Sequence, residues 1–121
     1  MTLAMIGWLA LGAGVGAPAR FLTDRAVTSV SLESPIPLGL LVVNVLGSAL
    51  LGVIVGLDNA TLLVLAGSGF CGAFTTFSGF SWESSGLWAE HRGLFWVFAS
   101  SMVILCVGSF WLTWTLTIRL L

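Results

Sequence analysis

The 121-residue sequence contains very little charge. Only 7% of its residues are acidic or basic, with four arginines, no lysine, five acids and one histidine, whereas soluble domains carry roughly 25% charged residues. Hydrophobic residues make up 58% of the chain, and its mean hydropathy is +1.10. So little charge excludes a soluble enzyme, a nucleic-acid-binding protein and a disordered tail. The composition predicts an integral membrane protein of one small domain, residues 1–121.

Groups that perform catalysis are equally scarce. His91 is the only histidine and lies between Glu90 and Arg92. The two cysteines, Cys71 and Cys106, fall inside apolar stretches and show neither a disulfide framework nor metal-ligand spacing. No nucleophile is paired with a base, and no pair of buried carboxylates is evident. We therefore predict that the protein is not an enzyme.

The few ionisable residues divide the chain into four charge-free runs, residues 1–19, 34–57, 59–82 and 93–118. A helix rises 1.5 Å per residue and needs about 20 residues to cross a hydrocarbon core of about 30 Å. Each run is long enough to cross once, which predicts an all-α, multi-pass protein of the cell membrane with helices over residues 3–22, 38–57, 61–83 and 94–118. The first run lacks a basic segment and a cleavage site, so we expect it to remain in the mature protein.

The arginines give only a weak signal for orientation, which normally follows the excess of basic residues on the cytoplasmic side. Three of them fall beside the odd-numbered loops and one on the other side: Arg20, Arg25 and Arg92 against Arg119. Two interpretations stay open. The chain has one orientation, or it inserts in both and pairs with an inverted copy of itself. GxxxG pairs at residues 12/16 and 52/56 favour close helix packing within or between subunits.

One amide lies at membrane depth. Asn44 falls in the first half of the second predicted helix, and burying its side chain in hydrocarbon costs several kcal/mol unless it is paired or meets water. A hydrogen bond between helices is one interpretation, and a place in a polar pathway is the other. Ser109, beside Gly108 on the last helix, is the hydroxyl there that we expect to face a partner.

The third predicted helix is rich in glycine. Its centre reads Gly67-Ser-Gly-Phe-Cys-Gly-Ala-Phe-Thr-Thr-Phe-Ser-Gly-Phe80, and each interior glycine costs about 1 kcal/mol against alanine. We predict that this helix breaks at mid-membrane. Freed carbonyls and amides cannot face lipid, but they suit an ion pathway, where they meet cations and anions respectively. The phenylalanines recur every three residues, and their positive ring edges favour an anion without a full charge.

Three motifs together resemble the family of small fluoride channels called Fluc or CrcB, and the resemblance covers all four predicted helices. The motifs are Gly16-Ala-Pro-Ala-Arg20, Pro37-Leu-Gly-Leu-Leu-Val-Val-Asn44-Val-Leu-Gly47 and Gly69-Phe-Cys-Gly-Ala-Phe-Thr-Thr-Phe-Ser-Gly-Phe80. The resemblance implies a passive, fluoride-selective channel that exports cytoplasmic fluoride and protects against its toxicity. It also implies an antiparallel, dual-topology homodimer with two pores, in contact with membrane lipid.

The same resemblance implies roles for particular residues. It places the fluoride pore at five residues: Asn44, Thr76, Phe77, Phe80 and Ser109. A central structural sodium ion is implied at the main-chain carbonyls of Gly72 and Thr75 of both subunits, and pore entrances at Arg20 and Glu83. The sequence departs from the family pattern at Leu40 and Gly79, where threonines are usual, so we expect a different polar track along the pore.

Two other functions match parts of the sequence. A small multidrug transporter has four helices and this length, but it exchanges protons at a carboxylate in the middle of its first helix, and residues 1–19 contain no acid. A membrane assembly subunit without transport would leave the broken helix and Asn44 without a purpose. The fluoride channel is therefore the prediction.

Overall fold

The computed structural model describes residues 1–121 and consists of helices without strands. Four helical stretches are long and apolar enough to cross a membrane, which confirms the predicted all-α fold. The first two are α1, Leu3–Val30, and α2, Leu38–Gly56. The third, Ala60–Glu90, comprises α3 (Ala60–Leu62), a π-helical segment (Leu63–Cys71), α4 (Gly72–Phe74) and α5 (Phe77–Glu90). The fourth is α6, Arg92–Leu120.

Helix α1 is longer than the predicted range of residues 3–22. It continues through Arg20 and Asp24 to Val30, because charge ends an apolar run without ending a helix. The helix stops only where the chain turns at Ser31, shortly before Pro35. The third span likewise continues past residue 83 to Glu90, and α6 starts before residue 94, at Arg92. The helices therefore extend beyond the apolar runs.

The glycine pair of α1 packs against the π-helical segment. A Cβ atom on Gly12 would overlap the carbonyl oxygen of Leu65, and one on Gly16 would overlap the carbonyl oxygen of Phe70. Only glycine allows two backbones to approach this closely. π-Helical turns are usually single, so nine consecutive residues form an unusually wide segment, and α1 lies directly on its carbonyl groups.

The second glycine pair joins α2 to α6. A Cβ atom on Gly52 would overlap the hydroxyl of Thr113 and the carbonyl oxygen of Phe110, and one on Gly56 would lie 2.7 Å from Cβ of Thr117. The Thr113 hydroxyl donates to the carbonyl oxygen of Ala49 at 2.7 Å. Both GxxxG pairs thus make contacts within one subunit.

The interior of the subunit is small. Only 16 of 121 residues are buried, with Val43 and Phe98 fully so, and large apolar side chains cover the outside. Such a surface suits lipid or another apolar protein surface rather than water. Phe98 of α6 and Val43 of α2 lie where these helices approach the broken third span, so the core supports the region in which the candidate site is found.

Candidate ion pathway

The third span is interrupted at two consecutive threonines. Thr75 has φ −81° and ψ 161°, and Thr76 has φ −149° and ψ 124°, so both are extended. The predicted break is therefore present. The Thr76 hydroxyl accepts a hydrogen bond from the N–H of Gly79 at 3.2 Å and caps α5. The side chain thereby pairs one of the free amides at the start of that helix.

Asn44 compensates the break from the neighbouring helix. Its Oδ1 accepts from the N–H of Thr76 at 2.8 Å, and its Nδ2 donates to the carbonyl oxygen of Thr76 at 3.1 Å. The side chain is 7% exposed, and Nδ2 lies 3.5 Å from Sδ of Met102, a weak acceptor. Asn44 thus makes hydrogen bonds between helices, which is one of the two interpretations that the sequence left open.

A cleft of about 440 Å³ brings together most of the predicted site residues. Its lining includes Asn44, Gly72, Thr75, Thr76, Phe77 and Phe80. The ring centroids of Phe77 and Phe80 lie 5.9 Å apart, and those of Phe80 and the buried Phe98 lie 5.6 Å apart. Phe77 is 79% exposed, so one ring of the pair points away from the subunit.

A second cavity, of about 740 Å³, lies at the other side of the break, and we call it the vestibule. Arg20 and Glu83 both line it, together with Ser78. Thr76 lines the vestibule as well as the cleft, so the broken backbone lies between the two recesses. A small ion that moved between them would pass the hydroxyl and main-chain groups of Thr76.

The two positions that depart from the Fluc pattern pack against each other in the vestibule wall. A Cβ atom on Gly79 would lie 2.9 Å from Cδ1 of Leu40 and 3.1 Å from Cγ2 of Thr76. Leu40 therefore fills the space that the missing side chain leaves. Where the family pattern has two threonine hydroxyls, the vestibule wall has the apolar side chain of Leu40. On the third span, Thr76 and Ser78 are the residues that present hydroxyls to the vestibule.

The structure does not bring Ser109 to the cleft. Its hydroxyl lies within hydrogen-bond distance of two carbonyl oxygens, that of Val45 at 3.3 Å and that of Cys106 at 3.0 Å. Serine in an apolar helix often satisfies its hydroxyl in this way. Ser109 faces a partner, as expected of it, but that partner is the α2 backbone.

Asp24 is a charged residue that sequence reasoning missed. It lines the vestibule with Arg20, one helical turn earlier on α1, and its carboxylate lies against Gly39, where a Cβ atom would overlap Oδ1. The spacing of four residues is the signal that would have found it. That signal was lost because the first helix was expected to end at residue 22.

The regular main-chain hydrogen bonds of the helix are interrupted at the break. The N–H of Thr76 bonds Asn44 instead of Gly72, and the N–H of Gly79 bonds the Thr76 hydroxyl instead of the carbonyl of Thr75. Gly72 is exposed, with nothing within 4 Å of its Cβ position. Hard cations bind oxygen atoms, so the main-chain carbonyls of Gly72 and Thr75 have the chemistry that a sodium ion would need. The structure contains no group of three or more His, Cys, Asp or Glu side chains that could hold a metal ion.

Comparison with known proteins identifies the family. Residues 7–116 match the family model described as CrcB-like protein, Camphor Resistance (CrcB). The chain belongs to the CrcB family. The fluoride-specific ion channel FluC 1 of Geobacillus kaustophilus is 42% identical over 110 residues, which cover 88% of this chain and 90% of that protein. The family and the four apolar helices together make this a multi-pass membrane protein.

Two further relatives match over shorter stretches. FluC 1 of Nocardia farcinica is 54% identical over 80 residues, and FluC 2 of Cutibacterium acnes is 45% identical over 84 residues. These matches cover 65% and 64% of this chain, and 56% and 68% of the two relatives, which also carry the name fluoride-specific ion channel. An ion channel is not an enzyme, in agreement with the sequence prediction for this CrcB-family chain.

Proposed function

We propose that this CrcB-family chain is a passive fluoride-selective channel that exports cytoplasmic fluoride. The observation that carries the proposal is the position of Thr76, whose broken backbone lies between the vestibule and the cleft. The names of the three relatives support fluoride as the ion. The proposal requires no coupling to a proton or to ATP, because the membrane potential and the fluoride gradient are sufficient to drive the flux.

Selectivity in this proposal comes from neutral groups. Fluoride is small and strongly hydrated, so the pore must replace the hydrogen bonds of water without trapping the ion. The Thr76 hydroxyl accepts from Gly79, which leaves its own hydrogen to donate to Ser78, 3.1 Å away, or to an anion. The positive ring edges of Phe77 and Phe80 continue this lining in the cleft. Asn44 holds the segment in place, and its second amide hydrogen meets only the weak acceptor Sδ of Met102, 3.5 Å from Nδ2.

Arg20 and Glu83 belong to the entrance. Both line the vestibule, where Arg20 attracts anions and Glu83 opposes their accumulation. Hydrogen fluoride enters a cell as a neutral acid and dissociates at cytoplasmic pH, which traps the anion inside. An inside-negative potential then drives it out, with about 2.3 kcal/mol per charge for every 100 mV. A selective leak therefore protects the cell without an energy source.

The active form in this proposal is an inverted homodimer with two pores and one structural sodium ion. The weak arginine bias supports insertion in both orientations. The carbonyl oxygens of Gly72 and Thr75, whose usual helical amide donors bond elsewhere, support a cation shared by two copies, and Gly72 lies beside open space. The positive charge of that ion would hold the two breaks together. The exposed apolar surface is available to lipid and to the second copy.

The proposal is tested in liposomes. Purified protein is reconstituted with internal potassium fluoride or potassium chloride, and valinomycin sets a potassium diffusion potential while ion-selective electrodes record efflux. We expect fluoride release and chloride retention, with protein-free liposomes as the control. Equal efflux of both anions contradicts selectivity, and no efflux contradicts a channel and favours an assembly subunit without transport.

A further inference from the structure

We propose that Cys71, Met102 and Cys106 form a binding site for a soft cation of the Cu(I) class inside the cleft. All three sulfur-bearing side chains line that 440 Å³ cleft, Cys71 from the third span and the other two from α6. Both cysteines are free. The site contains two thiols and one thioether, the donors that select Cu(I) over hard ions.

The distance between two of the sulfurs supports a metal site. Sγ of Cys106 lies 3.8 Å from Sδ of Met102, one helical turn away. Metal–sulfur bonds of about 2.3 Å place two ligands of a tetrahedral centre about 3.8 Å apart. These two atoms therefore already occupy two corners of such a centre. Cys71, 4% exposed, lines the same cleft from the third span and would supply the third sulfur.

The surroundings favour a soft ion over a hard one. Apart from the cysteines, no residue that lines the cleft is ionisable, so no carboxylate or imidazole competes for the metal. Each thiol loses its proton to solvent as its sulfur bonds the ion, whereas Met102 donates a neutral lone pair. A monovalent cation with two thiolates leaves one negative charge, which the amide of Asn44 is placed to stabilise.

Occupation of this site would alter the ion pathway. Sδ of Met102 lies 3.5 Å from Nδ2 of Asn44, so a metal that takes the sulfur removes one neighbour of the residue that clamps Thr76. The bound ion and its negative ligands would also occupy the cleft beside Phe80. We therefore expect Cu(I) to slow fluoride efflux, a consequence that rests on the proposed function.

Metal binding is tested first, without transport. Full-length protein in detergent competes anaerobically with bicinchoninate for Cu(I), and the loss of the coloured competitor complex reports uptake. We expect about one ion per chain, with an affinity that rises with pH because both thiols must ionise. Loss of an outer-shell partner costs 10–100-fold in metal affinity, so C71S and C106S should each cost at least about tenfold and flatten the pH dependence.

Controls separate one shared site from two independent thiols. M102L keeps both thiols and should also weaken binding, whereas M5L changes an exposed methionine of α1 and should leave it unchanged. Equal affinity in C71S, C106S and wild type overturns the proposal, as does a lack of Cu(I) uptake by folded wild type. Helical circular dichroism and elution volume establish that each variant is folded.

Efflux is then measured with and without Cu(I). Inhibition in wild type but not in C71S/C106S supports the link to the pathway, and unchanged efflux with the metal bound contradicts that link. A wild type that binds Cu(I) but conducts no fluoride leaves the metal site standing and contradicts the channel. The two proposals therefore fail separately.

Discussion

The side chain of Asn44 pairs with both main-chain polar groups of Thr76. One amide side chain accepts from the N–H at 2.8 Å and donates to the carbonyl at 3.1 Å, at a point where the helix can satisfy neither group itself. The break in the third span is therefore stabilised by the side chain of a residue on another helix. Any loss of Asn44 should affect both the stability of the subunit and the passage of ions.

Asn44→Ala should slow fluoride efflux sharply and lower thermal stability. An unpaired buried polar group costs about 1–3 kcal/mol, and this substitution leaves two, both on Thr76. The measurements are liposome flux and thermal unfolding in detergent. Asn59→Ala is the matched control, since Asn59 only caps α3 at an exposed position. Normal flux in Asn44→Ala would remove this residue from the conducting machinery.

Phe80→Ile should reduce fluoride efflux while leaving the fold intact. The substitution removes the ring edge from the cleft but keeps an apolar side chain beside Phe98. Efflux and elution volume are compared with those of Phe95→Ile, whose ring packs on Trp88 and Trp96 away from the cleft and vestibule. If both variants conduct alike, the ring edges do not determine the rate.

The sequence predicted those parts of the fold that depend on charge and composition. Uninterrupted apolar runs predicted the membrane helices, and the glycines near Thr75 and Thr76 predicted the break. Helix ends were harder to predict because they are set by capping and turns rather than by charge. The extension of α1 to Val30 is such a case, and it hid the position of Asp24 in the vestibule.

Side-chain roles depended on contacts between helices that are distant in sequence. The pairing of Asn44 with Thr76 joins residues on α2 and the third span, and no local pattern indicates which amide meets which peptide group. Likewise, Ser109 was grouped with the pore by resemblance, but its hydroxyl lies against the α2 backbone. The packing of Leu40 beside Gly79 became visible only in three dimensions.

Gly12→Ala should destabilise the subunit strongly. The added methyl group would overlap the carbonyl oxygen of Leu65 and must push α1 away from the π-helical segment, at a cost of about 1–3 kcal/mol or more. Gly14→Ala is the control on the same helix, with nothing within 4 Å of the new atom. That variant should be neutral or up to about 1 kcal/mol more stable. Thermal unfolding in detergent measures both, and equal melting temperatures would refute the close packing.

Gly72→Ala should weaken the proposed dimer without affecting the subunit. Nothing in the subunit lies within 4 Å of the new methyl group, so monomer stability should be unchanged. A second copy that shares a sodium ion at the Gly72 carbonyl would meet this methyl group. Molar mass by light scattering in sodium and in potassium buffers reports the dimer. Gly108→Ala, equally unobstructed but on α6, should stay dimeric. A fully dimeric Gly72→Ala protein argues against a shared cation at this position.

Asp24→Asn should accelerate fluoride efflux and Arg20→Gln should slow it, because the two charges line one vestibule and act on an approaching anion with opposite sign. Salt screens such effects over a Debye length of about 10 Å at 0.1 M, so both changes should shrink as ionic strength rises. Efflux is recorded in low and high concentrations of potassium gluconate.

Asp58→Asn removes an acid outside the vestibule, beyond the end of α2, and serves as the control for net charge. Identical acceleration by Asp24→Asn and Asp58→Asn would mean that total charge, rather than charge in the vestibule, governs entry. A change that persists at high salt would instead assign Asp24 a steric role against Gly39.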